Sequence, residues 1–323
     1  MAKDILRVDN LVKHFPIDSS VFSVWDRSHK LRAVDGVNLS IPRGGTLGLV
    51  GESGCGKSTT ARLITRLIEP TAGQVYFQGQ EILSLSTRAF RKIRPRIQMI
   101  FQDPYASLNP RLRIRSILGS PLRLHRMVPP EQIQARVVEL LEMVGLEPDH
   151  GEGYPHQFSG GQRQRISIAR ALALKPDVII ADEPVSALDV SIRAQILNLL
   201  RRLQDSQGIS YLFIAHDLSV VRHFCDRVAV MYGGKIVEEA AVEELFNSPL
   251  HPYTEVLLSA IPRPQSRFDF QPQFLPGEAS SGFHRGQGCV LQERCPLVES
   301  RCREGEVAWA EKGAGHGVAC HFR

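Results

Sequence analysis

Residues 51–59 of the chain read GESGCGKST and follow the apolar run 46–50, and this loop restricts the fold more than any other stretch. A strand that leads through the spacing GxxxxGKS into a helix is typical of a phosphate-binding loop. Its glycines allow the backbone to wrap closely around phosphates, and the N-terminus of the helix adds partial positive charge. The pattern therefore predicts a nucleoside triphosphate site within an α/β fold.

Two residues of this glycine-rich loop have specific predicted roles. Lys57 is expected to reach the β- and γ-phosphates, and the Ser58 hydroxyl is expected to ligate Mg²⁺. A glycine-rich turn between a strand and a helix is sometimes only structural, but the complete spacing favours phosphate binding. The residues predicted to contact the nucleotide are Gly51, Glu52, Ser53, Gly54, Cys55, Gly56, Lys57, Ser58 and Thr59.

Between residues 4 and 250, short apolar runs alternate with longer amphipathic segments, which indicates an α/β protein with a largely parallel sheet. The predicted strands are residues 46–50, 97–101, 178–181, 211–215 and 227–231. The predicted helices are residues 57–68, 130–144, 160–174, 190–207 and 242–246. Gly233 and Gly234 predict a hairpin. Beyond residue 261, prolines and glycines break every periodic pattern, so a loop-rich tail is expected.

Acidic and polar residues follow three of these predicted strands. Asp182 and Glu183 end the run VIIADE, at the edge where open α/β sheets bind ligands. Asp182 fits a role in holding Mg²⁺, and Glu183 is placed to orient and polarise the attacking water. Without the glycine-rich loop, the same pair would favour a helix-capping turn. Gln102 can offer its amide oxygen to Mg²⁺, and His216 is expected near the γ-phosphate. Either residue alone would indicate little, and these roles are assigned because the other motifs are present.

The sequence SGGQR at residues 159–163 opens the helix that precedes VIIADE. Ser159 and the N–H groups of Gly160 and Gly161 are expected to cap this helix and to form a second anion cradle. One phosphate-binding loop suffices for a triphosphate, so a second cradle indicates a second chain. A well-capped helix start is the simpler interpretation, and it explains these residues only in part.

The ordered set GESGCGKST, Gln102, SGGQ, VIIADE, SALD and His216 resembles the ABC ATPases over roughly residues 5–250. The resemblance implies an α/β P-loop NTPase ABC cassette over residues 1–260, with a RecA-like core, an antiparallel β subdomain and a helical subdomain at about 103–172. It also implies a head-to-tail dimer that holds each ATP between the glycine-rich loop of one subunit and the SGGQ of the other. The expected contacts to ATP on the second subunit are Ser159, Gly160, Gly161, Gln162 and Asp189, the last in a D-loop at 186–189.

In this family an aromatic residue upstream of the glycine-rich loop usually stacks on adenine. Phe15, in the sequence KHFPI, matches that position, although a phenylalanine of the core would look the same. An insertion at residues 21–30 also brings Phe22 and Trp25 into consideration. The resemblance therefore makes Phe15 the expected adenine contact, with these two aromatic residues as alternatives.

Longer stretches resemble the ATPase subunits of dipeptide and oligopeptide importers. They are residues 33–41, 101–111, 154–172 and 181–200, and HPYT at 251–254. This resemblance implies import of peptides or related small solutes, with a second ATPase subunit that is expected to be a paralogue. It further implies two membrane permeases, which the loop with Pro104, Tyr105 and Pro110 is expected to contact, and an extracytoplasmic solute-binding protein. The transported solute stays open, and a non-peptide solute is an alternative.

Most of the cysteines are crowded into the last tenth of the chain, where a reducing compartment favours metal ligation over disulfides. Zinc ribbons usually contain Cys-x2-Cys pairs, which are absent here, and the wider spacing suits an iron-sulfur cluster or a less common zinc site. The resemblance implies a [4Fe-4S] cluster in a small metal-binding tail of residues 261–323. Zinc, unligated cysteines, and His316 or His321 as a replacement ligand are alternatives. The predicted ligands are Cys289, Cys295, Cys302 and Cys320.

Composition argues against several other classes of protein. No stretch approaches the roughly 18 apolar residues that cross a bilayer, and the start MAKDILRVDN lacks the apolar segment of a secretory signal. The net charge of +5 could suit nucleic acid or an anionic membrane surface, but the basic residues at 88–96 and 111–115 are mixed with other types and predict solvated surface. We therefore expect a protein that stays in the cytoplasm and has no nucleic-acid partner. The resemblance to importer subunits implies a peripheral location at the cytoplasmic face of the inner membrane.

Two other functions remain as alternatives. A soluble ABC ATPase that acts on DNA or ribosomes usually has two cassettes or a long coiled-coil insertion, and this chain has neither. A non-catalytic subunit with a decayed site is disfavoured because Lys57, Asp182, Glu183 and His216 are all intact. An ATP-hydrolysing transporter subunit is therefore the leading hypothesis.

Overall fold

The computed structural model of the chain describes residues 4–16, 30–261, 274–277, 288–313 and 315–323. Its strands are β1 (Asp4–Pro16), β2 (Lys30–Pro42), β3 (Thr46–Val50), β4 (Ala72–Phe77), β5 (Gln80–Glu81), β6 (Ile97–Ile100), β7 (Val178–Asp182), β8 (Ser210–Ala215), β9 (Arg227–Tyr232), β10 (Lys235–Ala241), β11 (Ala310–Glu311) and β12 (Gly317–Val318). Its α-helices are α1 (Lys57–Ile64), α2 (Thr87–Ile93), α3 (Pro104–Ser107), α4 (Ile114–Leu124), α5 (Ile133–Met143), α6 (Gly160–Leu172), α7 (Val190–Gln207), α8 (Leu218–Phe224), α9 (Val242–Asn247) and α10 (Pro252–Ser259).

These elements fall into two compact units. The first contains Pro42–Gly45 and Ser84–Ile214, and the second contains Asp4–Ile41, Thr46–Leu83 and Ala215–Arg323.

The first unit is built on the parallel strands β6, β7 and β8, in the order β8-β7-β6. Every residue of β7 and β8 is buried, so their sequences read as nearly continuous apolar runs. Such runs are typical of parallel strands that are covered on both faces. Ile100 at the end of β6 pairs with Ala181 of β7, so the carboxyl ends of these strands lie side by side.

Helices α4, α5 and α6 pack against one another in the first unit, which also contains α2, α3 and α7. Gly119 of α4 allows a close approach to α5, because a Cβ at this position would lie 3.2 Å from Ile133. Arg165 of α6 donates a hydrogen bond of 2.6 Å to the Val144 carbonyl just after α5. In the part of the chain that the structure describes, no helix is both long and apolar enough to span a membrane. The buried residues of α4 follow the spacing of one helix face and are Ile114, Ile117, Leu118, Gly119 and Leu122.

The second unit contains an antiparallel sheet and a set of strands around β3. The antiparallel sheet has the order β2-β1-β4-β5. In the other set, β11-β12-β10-β9-β3, β3 runs parallel to β9, whereas β10 is antiparallel to both β9 and β12. The strands β11 and β12 of the tail therefore extend the set of strands that leads into the glycine-rich loop.

Most elements predicted from periodicity are confirmed. β3 and α7 have the predicted bounds, and β6 to β9 each differ by one residue at one end. α1 ends at Ile64 instead of residue 68, because Arg66 adopts a left-handed φ of 52° that a helix cannot continue through. The predicted hairpin joins β9 to β10, with positive φ at Gly233 (54°) and Gly234 (84°) as a type I′ turn requires.

Periodicity predicts neither the strands of the antiparallel sheet nor α4, and only the family resemblance implies an antiparallel subdomain. In β1 the alternation is interrupted, because the register shifts between Asp9 and Val12 and Asn10 adopts a left-handed φ of 47°. Such a bulge moves the following side chains to the opposite faces of the sheet. In α4, Pro121 inside the helix weakens the helical signal.

Glu238 of β10 is a carboxylate with 0% exposed surface in the second unit. It accepts hydrogen bonds from the backbone N–H groups of Leu250 (2.7 Å) and His251 (2.9 Å), and it lies 2.8 Å from Nε2 of His316. A buried carboxylate is tolerated only when it is paired in this way. Glu238 therefore joins β10 to the residues that begin α10 and to the tail.

The ring of His251 generates a prediction about acid stability. Nδ1 of His251 accepts the Tyr253 N–H, and burial lowers the pKa of this ring from 6.5 to about 4. The unfolded chain protonates the ring below pH 6.5 while the folded chain keeps it neutral, so stability falls from pH 6.5 to about 4. His251→Asn keeps a capping side chain and removes this titration. We expect the wild type to lose about 3 kcal/mol more unfolding free energy than the variant over this window.

Urea denaturation of both proteins at a series of pH values measures this difference. Parallel pH profiles for the wild type and His251→Asn would contradict the prediction.

Candidate nucleotide site

The glycine-rich loop joins β3 to α1 in the second unit, and the neighbouring backbone leaves no room for a side chain at two of its glycines. At Gly51, which has a φ of 154°, a Cβ would lie 2.1 Å from the Met231 carbonyl oxygen. At Gly56, which has a φ of 113°, a Cβ would lie 2.2 Å from the Ala33 carbonyl oxygen. The close packing of β9 and β2 against the loop therefore requires glycine at both positions.

Lys57 is only 4% exposed, and its ammonium group lies inside the loop. Nζ donates hydrogen bonds to the carbonyl oxygens of Gly51 (2.7 Å) and Glu52 (2.8 Å) and lies 3.7 Å from Sγ of Cys55. Burial raises the pKa of the Cys55 thiol, and the charge of Lys57 offsets this only in part. The loop thus contains a buried positive charge beside a neutral thiol, which suits an anionic ligand.

Glu52 is held by two residues outside the sequence motif. Its backbone N–H donates a 2.8 Å hydrogen bond to Oη of Tyr253, and its Oε2 lies 2.9 Å from Nη1 of Arg294. Sequence reasoning missed both contacts. Tyr253 stood out only as part of HPYT, and Arg294 has no local signal because it lies 242 residues from its partner.

The predicted acidic pair stands at the end of β7 in the first unit. Asp182 is buried, and Glu183 has a left-handed φ of 47°. Nε2 of Gln102 donates a 2.9 Å hydrogen bond to Oε2 of Glu183, so the structure brings these two predicted residues together. The contact uses the amide nitrogen of Gln102, which leaves the predicted Mg²⁺ role to the amide oxygen.

His216 directly follows β8 and is exposed. Ile214, two residues earlier in the chain, pairs with Asp182 in the ladder between β7 and β8. His216, Lys57 and Ser58 belong to the second unit, whereas Asp182 and Glu183 belong to the first. That these residues act on one nucleotide stays a prediction.

The SGGQ sequence forms the N-terminus of α6. Oγ of Ser159 accepts the Gln162 N–H (3.3 Å), and Oε1 of Gln162 accepts the Ser159 N–H (3.0 Å), which makes a capping box. Ser159 and Gly160 are exposed, and a Cβ on Gly161 would lie 2.5 Å from Cγ2 of Ile192. The simpler interpretation, a well-capped helix start, is thereby confirmed, and the contact with a second chain stays a prediction.

The predicted D-loop leads from the acidic pair to the molecular surface. Oγ of Ser186 donates a hydrogen bond of 3.1 Å to the Glu183 carbonyl oxygen. Asp189 is the exposed N-cap residue of α7, and the following Val190 is 79% exposed. A few residues of chain therefore connect Glu183 to an exposed apolar side chain.

Phe15, the expected adenine contact, is half-buried near the end of β1 in the second unit. The ammonium nitrogen of Lys13 lies 5.0 Å from the centroid of its ring. Phe22 and Trp25, together with residues 21–29 of the predicted insertion, lie outside the described residues. Stacking of Phe15 on adenine stays a prediction.

The tail cysteines are thiols, and Cys302 is buried while the other three are half-buried. Burial raises the pKa of Cys289 to about 11, and repulsion from the thiolate forms of the other three cysteines adds to this rise. The Cys289 N–H also donates a 2.8 Å hydrogen bond to the Cys302 carbonyl. Nevertheless, within the described ranges no group of three or more His, Cys, Asp or Glu side chains is arranged to hold a metal ion. The arrangement of side chains thus does not support the predicted metal-binding tail.

The two histidines considered as replacement ligands differ in their surroundings. Nε2 of His316 is engaged with the Glu238 carboxylate, so this nitrogen already has a partner. Nε2 of His321 is buried and has no hydrogen-bond partner. Cysteine sulfur and imidazole nitrogen are suitable ligands for a soft metal. Among the described residues, however, these side chains do not converge on a common point.

The chain matches two known protein families and many known proteins. The family described as "ABC transporter" matches residues 34–186, and "Oligopeptide/dipeptide transporter, C-terminal region" matches residues 237–302. The chain is 51% identical to the oligopeptide transport ATP-binding protein AppF of Bacillus subtilis (strain 168), over 98% of this chain and 97% of that protein. It is 45% identical to the dipeptide transport ATP-binding protein DppF of Escherichia coli (strain K12), over 99% and 95%.

A solved structure agrees with these matches. The dimeric structure of a post-hydrolysis state of the ATP-binding cassette MJ0796, bound to ADP and Pi, superposes with a TM-score of 0.65. The two sequences are 32% identical, and the similarity covers 73% of this chain and 98% of the other. The described architecture is therefore that of an ATP-binding cassette.

The space around Gly51 generates a prediction about nucleotide affinity. Gly51→Ala should weaken ATP binding by at least about 100-fold, because the new Cβ would displace the loop from the Met231 carbonyl. Gly79→Ala is a matched control, since Gly79 also has a positive φ (82°) but has nothing within 4 Å of a Cβ. We expect the control to bind ATP within about twofold of the wild type. Titration with a fluorescent ATP analogue measures both, and equal affinities would contradict the prediction.

Proposed function

This chain belongs to the ABC transporter ATP-binding proteins of the oligopeptide and dipeptide type, and we propose that it hydrolyses ATP to drive import of peptides or related small solutes through separate membrane permeases. The observation that carries the proposal is a match along nearly the whole chain, tail included, to proteins named for peptide transport. The cassette alone would leave the transported class open, because many ABC ATPases share it.

We propose the following roles for the residues that bind the nucleotide and its metal ion. Lys57 and the backbone of the glycine-rich loop bind the β- and γ-phosphates, and Phe15 stacks on adenine. Ser58, Asp182 and the amide oxygen of Gln102 would hold Mg²⁺, since a hydroxyl, a carboxylate and an amide are the hard oxygen donors that this ion prefers. When bound, the ion neutralises charge on the phosphates.

Hydrolysis depends on a correctly oriented carboxylate. Glu183 orients and polarises the attacking water, and phosphoryl transfer requires such positioning more than covalent chemistry. The 2.9 Å hydrogen bond from Gln102 supports this role, because it restricts the rotation of the Glu183 carboxylate. His216 stabilises charge that develops on the γ-phosphate.

A second ATPase subunit, expected to be a paralogue, completes each site. Ser159, Gly160, Gly161 and Gln162 contact the ATP held by that subunit, and Asp189 lines the seam. The exposed N-terminus of α6 supports this assignment, as does Val190, which is 79% exposed beside Asp189. ATP closes the dimer, closure changes the state of the permease, and hydrolysis reopens the dimer.

The surface after Gln102 is the proposed contact with the membrane permeases. Tyr105 in α3 is 54% exposed, and Leu112 is also exposed. The guanidinium carbon of Arg163 lies 4.6 Å from the centroid of the Tyr105 ring. We place the chain at the cytoplasmic face of the inner membrane, as a peripheral subunit that acts indirectly with an extracytoplasmic solute-binding protein. No nucleic acid takes part.

Glu183→Gln tests the catalytic assignment. The variant should bind ATP and dimerise with its partner subunit, but hydrolyse ATP about 10² to 10⁴ times more slowly, because Gln cannot polarise the attacking water. Glu139→Gln is the control, since Glu139 is an exposed carboxylate in the same unit that forms an ion pair with Arg136. Phosphate release and peptide uptake in proteoliposomes that contain the co-purified permeases measure both steps.

Normal steady-state hydrolysis by Glu183→Gln would remove Glu183 from this role. Recovery of ribosomes or DNA in place of permeases with the affinity-purified chain would overturn the transport function.

We further propose that the tail cysteines bind a [4Fe-4S] cluster, with zinc as the alternative. The hydrogen bond of 2.8 Å from the Cys289 N–H to the Cys302 carbonyl supports this proposal, because it brings two of the four cysteines together. A metal centre can also stabilise a tail with few apolar residues to bury. The tail is taken as residues 261–323, although its β12 pairs with β10 of the cassette.

Metal analysis of the intact protein tests this assignment. Protein purified without oxygen should contain iron and show visible absorption, and Cys295→Ser should lower the iron content by at least about half because a thiolate ligand is lost. Cys225→Ser, a buried cysteine outside the tail, is the control and should keep the iron. Colourless protein with stoichiometric zinc would contradict the cluster.

A further inference from the structure

Arg294 is an almost buried arginine of the tail that contacts the glycine-rich loop. Its side chain is only 10% exposed. Nη1 donates hydrogen bonds to Oε2 of Glu52 (2.9 Å) and to Oη of Tyr232 (3.3 Å), and Nε donates to the Pro276 carbonyl (3.0 Å). Water screens a shielded ion pair less than an exposed one. Arg294 therefore fixes and neutralises the Glu52 carboxylate.

Tyr253 holds the backbone of the same residue. Its Oη accepts the Glu52 N–H at 2.8 Å, and the tyrosine is fully buried. The ring packs edge-on against Tyr232, with centroids 4.7 Å apart. Glu52 is thus restrained at its backbone by α10 and at its side chain by the tail.

The position of Tyr253 depends in turn on the buried Glu238. The Tyr253 N–H is bound by Nδ1 of His251, and the His251 N–H is bound by Glu238. His316 of the tail supplies the third contact to Glu238. A continuous chain of hydrogen bonds therefore runs from the tail through α10 to the loop.

Restraining Glu52 also restrains Lys57, because the Glu52 carbonyl accepts a 2.8 Å hydrogen bond from Nζ of Lys57. The charge of Glu52 matters as well. A carboxylate in a phosphate-binding loop repels a polyphosphate unless a cation neutralises it, and Arg294 is that cation.

We propose that Arg294 and Tyr253 are positioning residues of the ATP site. Together they hold Glu52, and through it the glycine-rich loop and Lys57, in the form that binds phosphates. The inference rests on the proposed binding of ATP by this loop. It gives the tail a direct role in nucleotide affinity that is separate from any ligand of its cysteines.

The test measures ATP affinity by titration, and KM and kcat by phosphate release, on the full-length chain. Arg294→Ala should raise the Kd and KM for ATP about 10-fold and leave kcat within about twofold, because it removes binding common to ground and transition states. Arg294→Lys should restore most of the affinity, since it keeps the charge. Arg301→Ala, which removes a tail arginine from an exposed pair with Glu299, is the control and should change neither constant.

A double variant separates positioning by charge from general damage to the tail. Arg294→Ala combined with Glu52→Gln should return the Kd to within about threefold of the wild type, because the uncompensated carboxylate is gone. Tyr253→Phe should also raise the Kd, and Glu52→Gln should not rescue it, since Tyr253 acts on the backbone N–H.

An unchanged Kd for Arg294→Ala would overturn the inference. So would a raised Kd that is restored neither by the conservative change Arg294→Lys nor by adding Glu52→Gln. The proposed function fails on a different result. If the wild type binds ATP and does not hydrolyse it with its partner subunit, the ATPase role is wrong while the Kd series still decides the role of Arg294.

Discussion

The second unit depends on the hydrogen bonds that surround the buried carboxylate of Glu238. A charge without exposed surface is stable only while its hydrogen-bond donors stay in place, and losing one donor typically costs several kcal/mol. Its donors come from the segment that begins α10 and from His316. The strand β10, the helix α10 and the tail are therefore fixed relative to one another, and the loop that α10 contacts is fixed with them.

In the first unit, hydrogen bonds from loops orient the acidic pair after the sheet has placed it. The parallel pairing of Ile100 with Ala181 brings the ends of β6 and β7 together. Gln102 then restrains the Glu183 side chain, and Ser186 restrains its backbone carbonyl. The left-handed φ of Glu183 is a further cost that surrounding contacts must offset. The sheet thus sets the place of the carboxylate, and the loops set its direction.

Sequence reasoning succeeded where the chemistry is local. Residues 51–59, VIIADE and SGGQR each bring their functional groups together within a few positions, so spacing alone indicates phosphate binding, a carboxylate pair and a capped helix. The bulge at Asn10 has no periodic signal, and neither has the contact between Arg294 and Glu52. For the tail, spacing left an iron-sulfur cluster and a zinc site both open, and it could not show whether the thiols converge, because that depends on loop conformation.

The distance of 242 residues between Glu52 and Arg294 has a consequence for synthesis. At the usual rate of translation, Arg294 leaves the ribosome roughly 10 to 50 s after Glu52. Throughout that interval the nascent chain carries a glycine-rich loop whose acidic side chain has no counter-ion from the tail. On the proposed role of Arg294, full nucleotide affinity is therefore reached only after this part of the tail has been synthesised and has docked against the loop.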